Sequence, residues 1–174
     1  MYSISNNRLS FNEHQTSMTA PYPYCIATTV GSEALKVLLE ASGEGKYRDT
    51  HPWLAALDML DAARAAEKAL PILFASGQPA EFSHWGYVTD LAVVELHRAT
   101  WETVLSFTPL QPVNPIWVSL DSVLLKPTAE QLDREVREGI HQHRYPVTVG
   151  EIHPYAICET PAFIGQGMPG SFET

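Results

Sequence analysis

The chain is short of cysteine, short of basic charge and free of long apolar runs, and each shortage removes a class of function. Its two cysteines, Cys25 and Cys158, stand far apart and outside any CxxC pair. That argues against a disulfide framework and suits a reducing cytoplasm. A single Cys25–Cys158 bridge tying the two ends together stays open. Lys and Arg number 11 against 20 Asp and Glu, for a formal net charge of −9. An acidic surface repels phosphate backbones, which argues against a large electrostatic footprint for nucleic acid but leaves room for a local basic patch. No apolar stretch reaches the roughly 18 residues that a membrane span needs. The polar start MYSISNNRLSFNEHQTSM lacks the apolar region of a secretory signal. The expectation is a soluble, cytoplasmic protein with no membrane contact.

The recognisable catalytic motifs are missing as well. There is no P-loop, Gly-x-Gly-x-x-Gly, HExxH or Gly-x-Ser-x-Gly. Gly43-Glu44-Gly45-Lys46 carries Glu where a phosphate would sit, so it reads as a plain loop. Ser76-Gly77 follows a strand but lacks the preceding Gly of a nucleophile turn. Asp58 and Asp61 fit the solvated first turns of a helix, where acidic groups suit the dipole. His141 and His143 would share a face in a strand and, with His153, could ligate zinc. The alternative is two exposed histidines near a helix end. No catalytic residue, metal or cofactor is assigned.

What the chain does contain is a middle third of strand-like runs. Residues 70–127 carry three of the four tryptophans. Ile72–Ala75 reads as a short buried strand and Ser76–Pro79 as a turn. Trp85–Leu96 reads as a long strand, with Gly86 and Asp90 marking a bend. Residues 97–99 form a turn, and Trp101–Phe107 alternates in the strand manner, giving an antiparallel hairpin. Upstream, Cys25–Val30 predicts a strand. Ser32 starts a helix through Leu39, residues 42–52 form a loop, and the leucine spacing predicts a helix over 53–70. Downstream, Ile116–Val118 can add a strand, and Leu120–Leu125 a strand or short helix. Thr128 with Gln131 has capping-box spacing, so a helix starts there and stops at Gly139, with Leu132 and Val136 on one face. Residues 147–157 predict a closing strand interrupted by Pro154. Residues 1–20 read as a flexible arm, 21–164 as one globular domain and 165–174 as a flexible tail. This order suggests a small barrel or curled sheet with an aromatic-lined mouth, where Trp53, Trp85 and Trp101 either stack on flat ligands or fill the core.

A loop with Arg48-Asp49, a helix, a strand ending Leu73-Phe74-Ala75-Ser76, then Gly86-Tyr87-Val88 and Val104-Leu105-Ser106-Phe107 resembles the PUA-like superfamily, chiefly its EVE and ASCH branches. The resemblance covers residues 47–127. It implies an α+β fold: a small, mostly antiparallel, barrel-like sheet flanked by about three helices. It also implies a pocket for a modified base or nucleotide, often with RNA or DNA binding. By position Arg48 matches the loop arginine and Ser76 the polar turn after the strand. Asp49 stands where EVE proteins usually have Asn, which replaces a two-way hydrogen-bonder with an acceptor. The ASCH pattern Gly-x-Lys-x-x-Glu-x-Arg is absent.

The leading expectation is therefore a non-catalytic binding module. It would hold a nucleobase-like or nucleic-acid ligand with Arg48, Trp53, Ser76, His84 and Trp85. Two alternatives come from other classes. One is a protein–protein interaction module, using the aromatics and prolines of residues 109–117 and an acidic surface that selects a basic partner. The other is a small hydrolase or nuclease using His84, His141 or His143.

Overall fold

The computed structural model describes residues 20–113, 117–140 and 144–165. The expected arm (except Ala20), the expected tail (except Gly165), Ile116, His141 and His143 lie outside the described residues.

The elements run β1 (Tyr24–Thr29), α1 (Ser32–Glu40), β2 (Gly45–Asp49), α2 (Leu54–Ala65), β3 (Pro71–Ser76), β4 (Glu81–His97), β5 (Thr100–Phe107), β6 (Gln111–Pro112) and β7 (Val118–Ser119). A 3₁₀ turn at Leu120–Ser122, α3 (Ala129–Glu138) and β8 (Ala156–Glu159) follow. The described residues are thus α+β, with three α-helices and a mixed sheet. The hydrogen-bonded order is β2-β5-β4-β3-β1-β8, and β6 and β7 also pair with β4. Among the described strands only β1 and β3 run parallel. Parallel neighbours need a crossover connection, and α1, β2 and α2 supply it. Inside that crossover β2 departs to the far end of the sheet and pairs with β5.

β4 is the spine. Its first half pairs with β3 on one edge and with β6 and β7 on the other, and its second half pairs with β5. Register shifts near Phe74 and Val88 mark where the strand bends, as irregular pairing does. The sequence cue at Gly86 has a packing reason: a Cβ there would stand 3.0 Å from the Thr108 carbonyl.

Both faces of the central strands are covered, which is why β3 reads as an unbroken apolar run. On one face Ile26, Ile72, Phe74, Leu105 and Phe107 pack under α1 and α2 through Leu35, Ala56, Leu60 and Ala63. On the other, Cys25, Leu73, Phe82 and Trp85 are covered by Val113, Leu120, Val123, Val147, Ile152 and Ile164. These covering residues come from the irregular second half of the chain.

Three expectations need correction. The ladder is open and not barrel-closed: among the described residues, its end strands β2 and β8 do not pair with each other. The Tyr47 side chain on β2 reaches instead to β1 and β3, its hydroxyl donating to the Thr29 carbonyl at 3.4 Å and its ring edge-on to Phe74. The expected loop 42–52 contains β2, whose partner lies more than fifty residues away and leaves no local trace. The helix expected over 53–70 stops at Ala65, because Glu67 turns to φ 58° and Lys68 N–H returns to the Ala63 carbonyl. By contrast, α3 keeps its Thr128–Gln131 capping box and a left-handed Gly139 at φ 68°. It buries none of its residues, and Val136 is 82 % exposed.

Candidate functional site

A polar convergence lies where β2 runs out into α2. Asp49 is the last residue of β2, and the next four residues turn the chain into the helix. One carboxylate oxygen organises this turn. Asp49 Oδ2 accepts from the Trp53 indole N–H at 2.7 Å, from the His51 backbone N–H at 3.3 Å, and from His51 Nδ1 at 2.9 Å. An ionised carboxylate only accepts, so Nδ1 of His51 carries the proton and Nε2 is the ring nitrogen outside this bond. Neutral His51 thereby presents an acceptor, and protonated His51 a charge-assisted donor.

The turn is tied to β5 by Thr103, which is fully buried. Its hydroxyl donates to the His51 carbonyl at 2.6 Å and accepts from the Trp53 N–H at 3.2 Å. Burial alone would raise the Asp49 carboxyl. The hydrogen bonds from Trp53 and His51, with the His51 charge, outweigh it and hold Asp49 below the ordinary carboxylate range.

A distant segment completes the cluster. Just before β8, Tyr155 stacks on the Trp53 indole, with ring centroids 4.5 Å apart and planes 25° from parallel. The His153 ring stands edge-on to His51 at 6.1 Å. The Thr28 hydroxyl, at the end of β1, donates to the Pro154 carbonyl at 2.6 Å and fixes this segment. Both His51 and His153 are solvent-exposed. Two exposed imidazoles thus sit together at the surface beside the stack of buried Trp53 on half-buried Tyr155. Among the described residues, no cluster of three or more His, Cys, Asp and Glu side chains is arranged to hold a metal ion.

The five residues expected to bind ligand do not form one mouth. Arg48 precedes Asp49 on β2, is exposed, and pairs with Glu102 at 2.9 Å. Trp53 is 0 % exposed and supports the cluster from beneath. Trp85 is 4 % exposed, packs edge-on against Tyr87 at 5.2 Å, and belongs to the core on the opposite face of the sheet from Trp53. The two indoles are therefore separated by the sheet. Ser76 ends β3 and is buried; Gly77 then takes φ 96°, which lets the chain turn sharply. His84 is half-buried on β4 with Nδ1 2.9 Å from the Ser83 hydroxyl, and burial pushes its imidazole down.

An open hollow of about 530 Å³ adjoins the turn after Ser76. Gly77–Ala80, Ser119–Asp121 and Val147–Val149 line it, and neither tryptophan does.

Sequence reading missed His51 altogether. It weighed Asp49 only as a family departure and His153 only as a third zinc ligand. The Asp-x-His spacing alone is commonplace. What gives it meaning is His153, 102 positions further on, and no local pattern connects the two. No family model, curated protein or solved structure matches this chain, so the site stands on its own geometry.

Proposed function

We propose that this protein is a non-catalytic binding module of PUA-like type. It takes a planar nitrogen heterocycle, such as a modified base or nucleotide, at the end of β2. The observation that carries this reading is the Asp49–His51 hydrogen bond at 2.9 Å, which fixes the tautomer of an exposed imidazole and leaves Nε2 free to meet a ligand edge. His153 offers a second ring edge beside it. Arg48 lies one residue from Asp49. Its exposed pair with Glu102 is of the kind that contributes about 0–1 kcal/mol, so the guanidinium can exchange partners for a phosphate. The roles first given to Trp53 and Trp85 pass to His51 and His153, because both indoles are covered. The acidic chain favours a single nucleotide or a short strand over a duplex.

The test is a titration with nucleoside monophosphates and their methylated forms, read through the ring-nitrogen NMR signals of His51 and His153. Saturable shifts that vanish in His51→Ala are expected. No response from either ring at millimolar ligand overturns the reading.

A second reading rests on the same bond. A carboxylate-oriented imidazole is also the arrangement of a general base acting on water. Release of product from a nucleotide or phosphodiester panel, lost in His51→Ala, would favour a hydrolase working through His51 in place of His84.

A further inference from the structure

Cys25 on β1 and Cys158 on β8 are direct register partners across the antiparallel ladder. Opposed residues in such a ladder have Cα atoms about 4.5–5.5 Å apart, within the range of about 4.4–6.8 Å that a disulfide spans. The two side chains share one apolar core, both are fully buried, and both thiols are free. The Cys25 thiol reaches the Glu159 carbonyl at 3.8 Å, a long contact even for sulfur, and also meets the Thr160 side chain. Chain positions 25 and 158 are thus already aligned, on facing strands, with no covalent link between them.

We propose that this pair is a redox site: a peroxide-class oxidant converts it into a cross-strand disulfide that clamps the last strand onto the first. The electrons balance in two steps. One thiol loses its proton and its sulfur attacks the peroxide. An S–O bond forms, the O–O bond breaks, and the departing hydroxide takes up the proton as water. The second sulfur then attacks the sulfenic sulfur. The S–S bond forms, the S–O bond breaks, and a second water leaves with the remaining thiol proton. The two sulfurs are oxidised and the peroxide oxygens reduced.

The surroundings set the rate of this switch. Burial raises both thiols above their ordinary value, with Cys158 pushed up to about 12. The reactive thiolate therefore forms as the strand pair opens, and the site responds to sustained oxidant. The clamp has something to hold: β8 pairs with β1 over only four residues, Tyr24–Ala27 against Ala156–Glu159. The bridge would close a loop of roughly 130 residues, in the range where loop closure constrains the unfolded chain strongly. It needs no ligand at His51.

The experiment treats the full chain with hydrogen peroxide under native conditions. The product is digested with trypsin without reduction and weighed. The expected product joins peptides 9–36 and 145–174, two hydrogens lighter than their sum. It is accompanied by a rise in Tm on the order of 5–10 °C that dithiothreitol reverses. Both changes disappear in Cys25→Ala and in Cys158→Ala, while the wild-type bridge is read without relying on either variant. Sulfinic or sulfonic acid at either sulfur with no bridge overturns the proposal. So do bridges between separate molecules only, or a bridge that leaves Tm unchanged.

Discussion

The Trp53 indole N–H donates to Asp49 Oδ2 at 2.7 Å, so the residue that opens α2 holds the residue that closes β2. The same ring stacks on Tyr155 and is wholly buried. The indole therefore contributes in two separable ways. Trp53→Phe keeps most of the apolar volume but removes one of the donors to a partly buried carboxylate. It is expected to cost about 1–3 kcal/mol. Trp53→Ala also leaves a cavity and is expected to cost about 3–5 kcal/mol. Urea unfolding checks both, with the midpoint falling at constant slope. A Phe variant as stable as wild type would mean the indole N–H has no energetic role.

The depressed Asp49 carboxyl makes a pH prediction whose sign follows from linkage. Its folded value lies below the ordinary 3.8, so folding favours the ionised form. The stabilisation is fully present above the unfolded value. It declines as pH falls below 3.8 toward the lower folded value, and is gone beneath that. Asp49→Asn cannot titrate, so its Tm should drop less steeply than wild type as the solution is acidified through this window. Above it, Asn should be the less stable of the two, since the charge-assisted bonds to His51 and Trp53 are lost. Parallel acid limbs for the two proteins would contradict this account.

Much of the secondary structure was legible in the sequence because its causes are local. The Thr128–Gln131 capping box, the Gly139 stop, the Ser76–Pro79 turn and the β4–β5 alternation all depend on neighbours within a few residues. What escaped depends on distance. β2 is a strand because β5 lies beside it. Glu67 ends α2 by a backbone excursion that propensity does not foresee. The ladder stays open because β2 leaves for the far edge and Tyr47 reaches back toward β1 with only its side chain. The candidate site was half legible: Arg48 and Trp53 lie in it, while Trp85 lies across the sheet. Aromatic clustering along a strand cannot say which ring faces which core, since successive side chains alternate faces.

Gly45 gives a steric prediction. It pairs with Phe107, and a Cβ at Gly45 would stand 2.4 Å from Phe107 Cε1 and 3.1 Å from its Cδ1 and Cζ. The Phe107 ring is fully buried and packs on Phe74 at 5.1 Å, so it cannot swing aside freely. Gly45→Ala should gain nothing from strand propensity and lose about 1–3 kcal/mol to overpacking. Gly150→Ala is the control: nothing lies within 4 Å of its Cβ position, and the change should stay within about 0.5 kcal/mol. Equal stability of the two variants in chemical denaturation would mean Phe107 yields at no cost.

The tip of the β4–β5 hairpin carries a conformational cost that substitution should release. His97 pairs with Thr100, leaving a two-residue loop in which Arg98 has φ 43° and Ala99 has φ 64°. Positive φ at both central positions is the requirement of a type I′ turn, which matches strand twist and favours Asn-Gly. Arg98 and Ala99 instead bear side chains that crowd the backbone in the left-handed region, at about 1–2 kcal/mol each. The Glu95 carboxylate offsets part of this by accepting from the Ala99 N–H at 3.0 Å. Both residues are exposed, so changing them should disturb no core packing. The double substitution Arg98→Asn with Ala99→Gly is therefore expected to stabilise the protein by about 1–2 kcal/mol, raising Tm by several degrees. Ala99→Val should do the reverse, because a β-branched side chain fits positive φ worst. If the Asn-Gly variant melts no higher than wild type and the Val variant no lower, the loop is not held in this geometry in solution.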